Sequence, residues 1–127
     1  MAEAVLDTSA LLAYVGREPG REVVEALIGN ACISAANWAE AVSKLVDRGG
    51  SLETVRAALS IAPIDVVDFD RALAEDAGEM IARTRRRGLS LGDRACLALA
   101  ARESLPAITA DRVWAVLDLG IDIRLIR

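Results

Sequence analysis

The chain has 127 residues, enough for one domain with a hydrophobic core and too few for two ordinary ones. Hydrophobic residues make up 54% against 27% charged, which excludes a disordered chain, and no apolar run nears the roughly 18 residues of a membrane span. A net charge of −4 argues against broad coating of nucleic acid, and the absence of histidine removes histidine-based nucleophilic sites and histidine-ligated zinc.

The first residues include Glu3 and Asp7, which a signal peptide would exclude, so a cytoplasmic protein is expected. "AVL" (Ala4 to Leu6) predicts a short buried strand, "DTS" stands where a helix cap belongs, and "ALLAYV" continues as helix. "GREPG" breaks that helix, "REVVEALI" resumes it and "GN" stops it at Asn30. "ACIS" predicts a second strand in which Cys32 is a small buried hydrophobe of a reducing compartment, as Cys96 is further on. Ser34 then caps a helix with Trp38, Val42 and Leu45 at helical spacing, ending in a double glycine.

"SLETVRAALS" predicts a short helix and "PIDVV" a strand. "DFDRALAEDAGEMIARTRRRG" predicts one long helix with Leu73, Ala77, Met80, Ile81 and Thr84 on its packed side. "GLSLGDRACLALA" is the next helix, "PAIT" a strand, "ADRVWAVLDLG" a helix and "IDIRLI" the closing strand. Strands separated by helices imply parallel crossovers in a single three-layer α/β sandwich. Trp38 and Trp114 lie on apolar helical faces and are expected in the core.

Four carboxylates stand out. Asp7 and Asp111 each follow a predicted strand, at the edge where parallel sheets place ligands, and each could equally be a helix N-cap. Asp93 shares a helical stripe with Cys96, Leu97 and Ala100, so it heads the buried side with no cation on that stripe. "SLGD" also fits a capping box, which gives Asp93 a structural job. A buried carboxylate needs a partner, and a divalent cation shared with other acids is one. Glu40 falls on the polar face with Asn37 and Lys44, where periodicity alone predicts solvent and a Glu40 to Lys44 surface pair.

"VLDTSALLAYV", "ISAANWAEAVSKL", "GLSLGDRACLALA" and "LPAITADRVWAVL" with the terminal "IRLIR", in this order, resemble the PIN-domain ribonucleases, most closely the toxins of VapBC-type toxin–antitoxin pairs. The resemblance covers nearly the whole chain and implies a PIN-like α/β/α sandwich around a short parallel sheet. It implies that Asp7, Glu40, Asp93 and Asp111 form the catalytic, metal-binding acidic cluster. It further implies that Thr8, Arg94, Thr109 and Arg112 serve substrate binding or tie down the carboxylates. All-oxygen ligands without histidine then favour Mg²⁺ or Mn²⁺, with an activated water attacking an RNA phosphodiester and leaving 5′-phosphate and 3′-hydroxyl ends. The implied partners are a small antitoxin that covers the cleft and a second copy of the chain in a homodimer.

The "RTRRRG" run, Arg83 to Arg87 with Thr84, reads either as a complement to a helix C-terminal dipole or as an RNA backbone clamp. Competing functional classes are a phospho-receiver domain, for which the lone Lys44 stands in the wrong unit, and a non-catalytic PIN-like module binding RNA or a partner.

Overall fold

A computed structural model describes residues 1–127. The first half runs β1 (Ala4–Leu6), α1 (Thr8–Gly16), α2 (Arg21–Leu27), β2 (Ala31–Ser34), α3 (Ala35–Asp47), α4 (Leu52–Leu59) and β3 (Asp65–Val67). The second runs α5 (Arg71–Glu79), α6 (Ile81–Thr84), α7 (Leu91–Glu103), β4 (Ala107–Thr109) and β5 (Ile123–Leu125). All five strands are parallel, in the order β3-β2-β1-β4-β5. No helix is long and apolar enough to cross a membrane.

The central strands β1, β2 and β4 are apolar because both of their faces are covered, whereas the edge strands β3 and β5, which carry Asp65 and Arg124, are largely exposed. Successive side chains point to opposite sides of a sheet. Ala4 and Leu6 of β1 therefore join Ile33 and Ile108 in packing against Leu11, Val24, Ala41 and Leu59 of α1 to α4. Val5, Cys32 and Ala107 face the other way, onto Leu73 and Ala77 of α5, the middle of α7, and Trp114. Two hydrophobic layers on one sheet make the three-layer α/β/α sandwich that the alternation of elements predicts. Both cysteines are buried and free.

The order of the strands locates the site. The chain winds outward from β1 through β2 to β3, then returns to the opposite side of β1 as β4. Connections on either side of that reversal diverge, which opens a crevice at the carboxyl ends of β1 and β4. Gly20 closes the far end of the first helical pair: its φ of 93° and a Cβ that would stand 2.6 Å from the Ile126 carbonyl leave room for no other residue.

Two predicted helices differ from expectation. The long helix is interrupted at Met80, so that α5 and α6 are separate and Arg85–Arg87 forms a 3₁₀ turn ending at Gly88. Leu73, Ala77, Met80 and Thr84 are buried, while Ile81, expected on the packed side, is 42% exposed. The Thr84 hydroxyl donates to the Met80 carbonyl at 3.0 Å and takes the inward place that Ile81 was predicted to share. "ADRVWAVLDLG" forms only a 3₁₀ turn over Arg112–Val116, because Trp114 is its single buried anchor and the chain must then turn back to lay β5 beside β4. Trp114 is fully buried; Trp38 is half-buried against the α1 to α4 layer.

Candidate active site

Asp7 follows the last residue of β1 and caps α1, its Oδ1 accepting from the Ala10 amide at 2.8 Å. A cap needs no more than that, and surface caps are common. Asp7 is instead 4% exposed and surrounded by hydroxyls. The Ser9 hydroxyl lies 2.7 and 2.9 Å from its two oxygens, and Thr109 donates to Oδ2 at 2.6 Å. Ser9 in turn accepts from the Ala110 amide and Thr109 from the Asp111 amide, so β1, α1 and the end of β4 share one hydrogen-bond network. Burial dominates the electrostatics, pushing the Asp7 carboxyl up to about 6 against the opposing pull of Thr109, Ala10 and Ser9, with a further rise from the charge of Asp93.

Asp93 stands in the first turn of α7. Its capping box is complete: the Ser90 amide donates to Oδ2 at 2.9 Å and the Asp93 amide to the Ser90 hydroxyl at 3.1 Å. Partial burial raises its pKa; the Ser90 hydrogen bonds oppose this, and the charges of Glu40 and Asp111 add to it. Asp93 therefore feels both of those acids and Asp7 feels Asp93. Four carboxylates from β1, α3, α7 and the loop after β4 share one field.

Glu40 is not the surface residue that periodicity predicts. It is half-buried, forms no ion pair with Lys44, and accepts a hydrogen bond from the Thr8 hydroxyl on α1. Asn37, grouped with it on the polar face, is only 1% exposed. Its amide nitrogen donates to the Gly92 carbonyl at 2.9 Å and to the Thr8 hydroxyl at 3.2 Å, stitching α3 to α7 and α1. A Cβ on Gly92 would come within 2.9 Å of the Glu40 carboxylate, so the glycine is what lets that carboxylate stand against α7. Asp111, exposed, caps the last 3₁₀ turn through the Val113 amide at 3.0 Å.

Sequence reasoning missed Ser9, Asn37 and Gly92. Small polar residues flanking the acids were the only available signal, and their partners lie on other elements. Of the four residues expected to bind substrate or tie down the carboxylates, two hydrogen-bond the acids and a third is engaged elsewhere. Thr109 is fully buried beneath Asp7, Thr8 is 4% exposed and engaged with Glu40, and the Arg94 guanidinium donates to the Ala77 carbonyl at 2.8 Å. Thr8 and Thr109 position carboxylates, and Arg94 ties α7 to α5. Arg112 alone is exposed and without an ion pair.

None of the seven ion pairs in the molecule involves Asp7, Glu40, Asp93 or Asp111. A carboxylate has about four acceptor sites. Asp93 Oδ1, Asp111 Oδ2 and Glu40 Oε2 accept no hydrogen bond from the protein, and the three donors on Asp7 leave it a free lone pair. This donor set, all oxygen, mutually repelling and lacking a cation, fits a hard divalent ion. As the side chains stand, no three of them close on a single point tightly enough to enclose one, so they would hold an ion only after side-chain rotation or through bridging water.

The PIN domain model matches residues 4–119. The chain belongs to the PIN domain family. Its PIN fold is shared with DNA-bound VapBC from Salmonella typhimurium, at 22% identity and a TM-score of 0.79 over 100% of both chains. VapC20 from Mycobacterium tuberculosis, a sarcin-ricin loop cleaving toxin, is 20% identical with a TM-score of 0.73, covering 93% of this chain and 98% of that one. A toxin–antitoxin complex from Klebsiella pneumoniae gives 25% identity and a TM-score of 0.67, over 90% and 92%. No curated protein matches the chain in sequence.

Proposed function

We propose that the whole chain is one catalytic PIN domain, an endoribonuclease dependent on Mg²⁺ or Mn²⁺, and that it acts in the cytoplasm as the toxin of a toxin–antitoxin pair. The observation that carries this reading is the set of four acids at the β1/β4 crevice, one of them deeply buried, with no cation paired to any of them. Uncompensated buried charge is costly, and a chain that maintains it at a crevice has a positive ligand to put there.

Asp7, Glu40, Asp93 and Asp111 would hold the cation, which when bound supplies an activated water and charge neutralisation at a phosphodiester. The chain's own residues do the rest. Ser9 and Thr109 fix the Asp7 carboxylate in one orientation, and Thr8 does the same for Glu40, so neither acid has to be ordered when substrate arrives. The capping box holds Asp93 while leaving its second oxygen free. Arg112, exposed beside Asp111, would meet a phosphate oxygen.

The toxin assignment is supported by the likeness to VapBC complexes; an antitoxin covering the crevice and a homodimeric assembly belong to the same proposal. A basic antitoxin side chain would satisfy the same carboxylates that a metal does. The test is to incubate purified protein with total RNA, with and without Mg²⁺ or Mn²⁺, and to map the new ends. Metal-dependent cuts with 5′-phosphate ends are expected. RNA binding without any cuts would instead establish a non-catalytic PIN-like module.

A further inference from the structure

An acidic crevice repels the strand that it is meant to cut, and the molecule as a whole carries a charge of −4. Something local has to hold the polyanion. Arg83, Arg85, Arg86 and Arg87 line, with Ala82, a concavity of about 560 Å³, the largest on the molecule. All four arginines are exposed, and only Arg83 reaches a carboxylate, Glu79 at 3.5 Å. In a chain with 19 acidic residues, three consecutive arginines without an ion pair are not there to balance a neighbour.

The helix-dipole explanation of the run is weakened by the fold. It requires a long helix ending in these arginines, whereas the helix breaks at Met80, α6 is a single turn, and Arg85–Arg87 lies beyond it in a 3₁₀ turn. The placement of that turn is fixed from both sides. Arg94 clips the start of α7 to the Ala77 carbonyl near the end of α5, bringing the chain that follows α5 to the same end of the molecule as Asp93. Only Gly88 and Leu89 separate Arg87 from the Ser90 cap, which limits their Cα separation to about 11 Å.

We propose that the Arg83–Arg87 turn is a docking site for the phosphodiester backbone of an RNA strand, which it holds a few nucleotides from the bond presented to Asp93. This rests on the nuclease reading for its substrate class. Guanidinium groups pair with phosphate oxygens in bidentate fashion, and phosphates recur along a strand at the intervals that a row of arginines needs. Aromatic residues are 3% of the chain, so holding the backbone, not stacking on bases, is the means available.

The test is the salt dependence of binding of a fluorescent oligouridine, measured by anisotropy in EDTA so that no cleavage occurs. Each phosphate contact contributes about 0.7 to the slope of log affinity against log salt for a single strand, so Arg85→Gln/Arg86→Gln/Arg87→Gln should flatten the slope by about 2. Between about 50 and 200 mM salt, the wild type then loses about 20-fold more affinity than the variant. The triple lysine variant keeps the charges and should retain the slope, with far-UV circular dichroism showing both variants folded. An unchanged slope in the glutamine variant overturns the proposal, as does a polyglutamate peptide that binds the wild type more tightly than oligouridine and loses more on substitution. Because binding is read without catalysis, a protein that docks RNA through these arginines but never cuts it would refute the nuclease reading and leave the docking site standing.

Discussion

Asp7 and Asp70 occupy the same local position. Each precedes a helix with extended backbone and accepts from the amide three residues on, Asp7 from Ala10 at 2.8 Å and Asp70 from Leu73 at 2.9 Å. Their surroundings differ. Asp70 is open to solvent and has Arg102 at 2.9 Å; the Leu73 amide and then Arg102 pull its pKa down. Asp7 is sealed in, held by hydroxyls and without a cation, and burial drives its pKa up to about 6. Capping alone is done well by the exposed arrangement, so the burial of Asp7 serves something other than the helix. Their capping geometry is alike, and only the environment separates a cap from a candidate site.

The comparison is broken most directly at the acids themselves. Asp7→Asn keeps shape and most hydrogen bonds but removes the charge, and should lower RNA cleavage by about 10³-fold or more while leaving the fold intact. Asp93→Asn should do the same. Cleavage at the wild-type rate by either purified variant would end the assignment. Because the charge on Asp7 is a burden to the folded state, Asp7→Asn should also melt at a higher temperature than wild type at neutral pH in EDTA, the usual relation of a functional site to stability.

That burden has a pH window. Asp7 binds its proton more tightly when folded, at about 6, than at its ordinary value of 3.8, so its charge is tolerated less well in the native state than in the unfolded one. The stabilisation from the protonated form is complete below 3.8 and is lost as pH rises through 6. A shift of that size corresponds to about 3 kcal/mol. The gap in melting temperature between Asp7→Asn and wild type should therefore open between these two pH values and stay level above them. Asp93, raised in the same direction, should give a gap of the same sign. Added Mn²⁺ should close the Asp7 gap above pH 6 by stabilising the wild type. A gap that does not change with pH would mean that burial does not govern this carboxyl.

Much of the architecture was legible because short apolar strands and amphipathic helices obey fixed periods, as "AVL" and "ACIS" show. The long helix was misjudged at Ile81: the helix breaks at Met80, two residues after Gly78, and of the predicted inward residues beyond the break only Thr84 stays buried. The acids were found partly from position and partly from family likeness. Glu40 was the hard case: periodicity correctly describes the polar face of α3, but that face meets α1 and α7 across the crevice instead of water. Asn37 was unreadable for the same reason, since its partners Thr8 and Gly92 come from elsewhere in the chain. Helical periodicity reports which residues are alike, not what the opposite wall will be.

Gly92 sharpens the point about environment at smaller cost. Gly92→Ala places a methyl 2.9 Å from a Glu40 oxygen at the end of a flexible side chain, so the carboxylate swings aside and the fold is undisturbed. Alanine is the better helix former by up to about 1 kcal/mol, so the melting temperature should hold or rise slightly. Cleavage should nonetheless fall by about 10- to 100-fold, in the range seen when the support of a metal ligand is disturbed. A variant that cuts RNA normally would show that Glu40 need not stay where the glycine leaves it.

Asp70→Asn is the smallest perturbation and completes the contrast. Its charge is favoured in the folded state, so the stabilisation it gives is present above 3.8 and fades as pH falls through its lowered native value. Substitution should lower the melting temperature slightly at neutral pH and have no effect in strong acid, opposite in sign to the Asp7 profile, which likewise vanishes in acid. RNA cleavage should be unaltered, because Asp70 and Arg102 sit on the exposed surface and form no hydrogen bond with any of the four crevice acids. If Asp70→Asn and Asp7→Asn instead changed stability with the same sign across this range, capping would account for both residues, and the case for a charged site at the end of β1 would lose its physical basis.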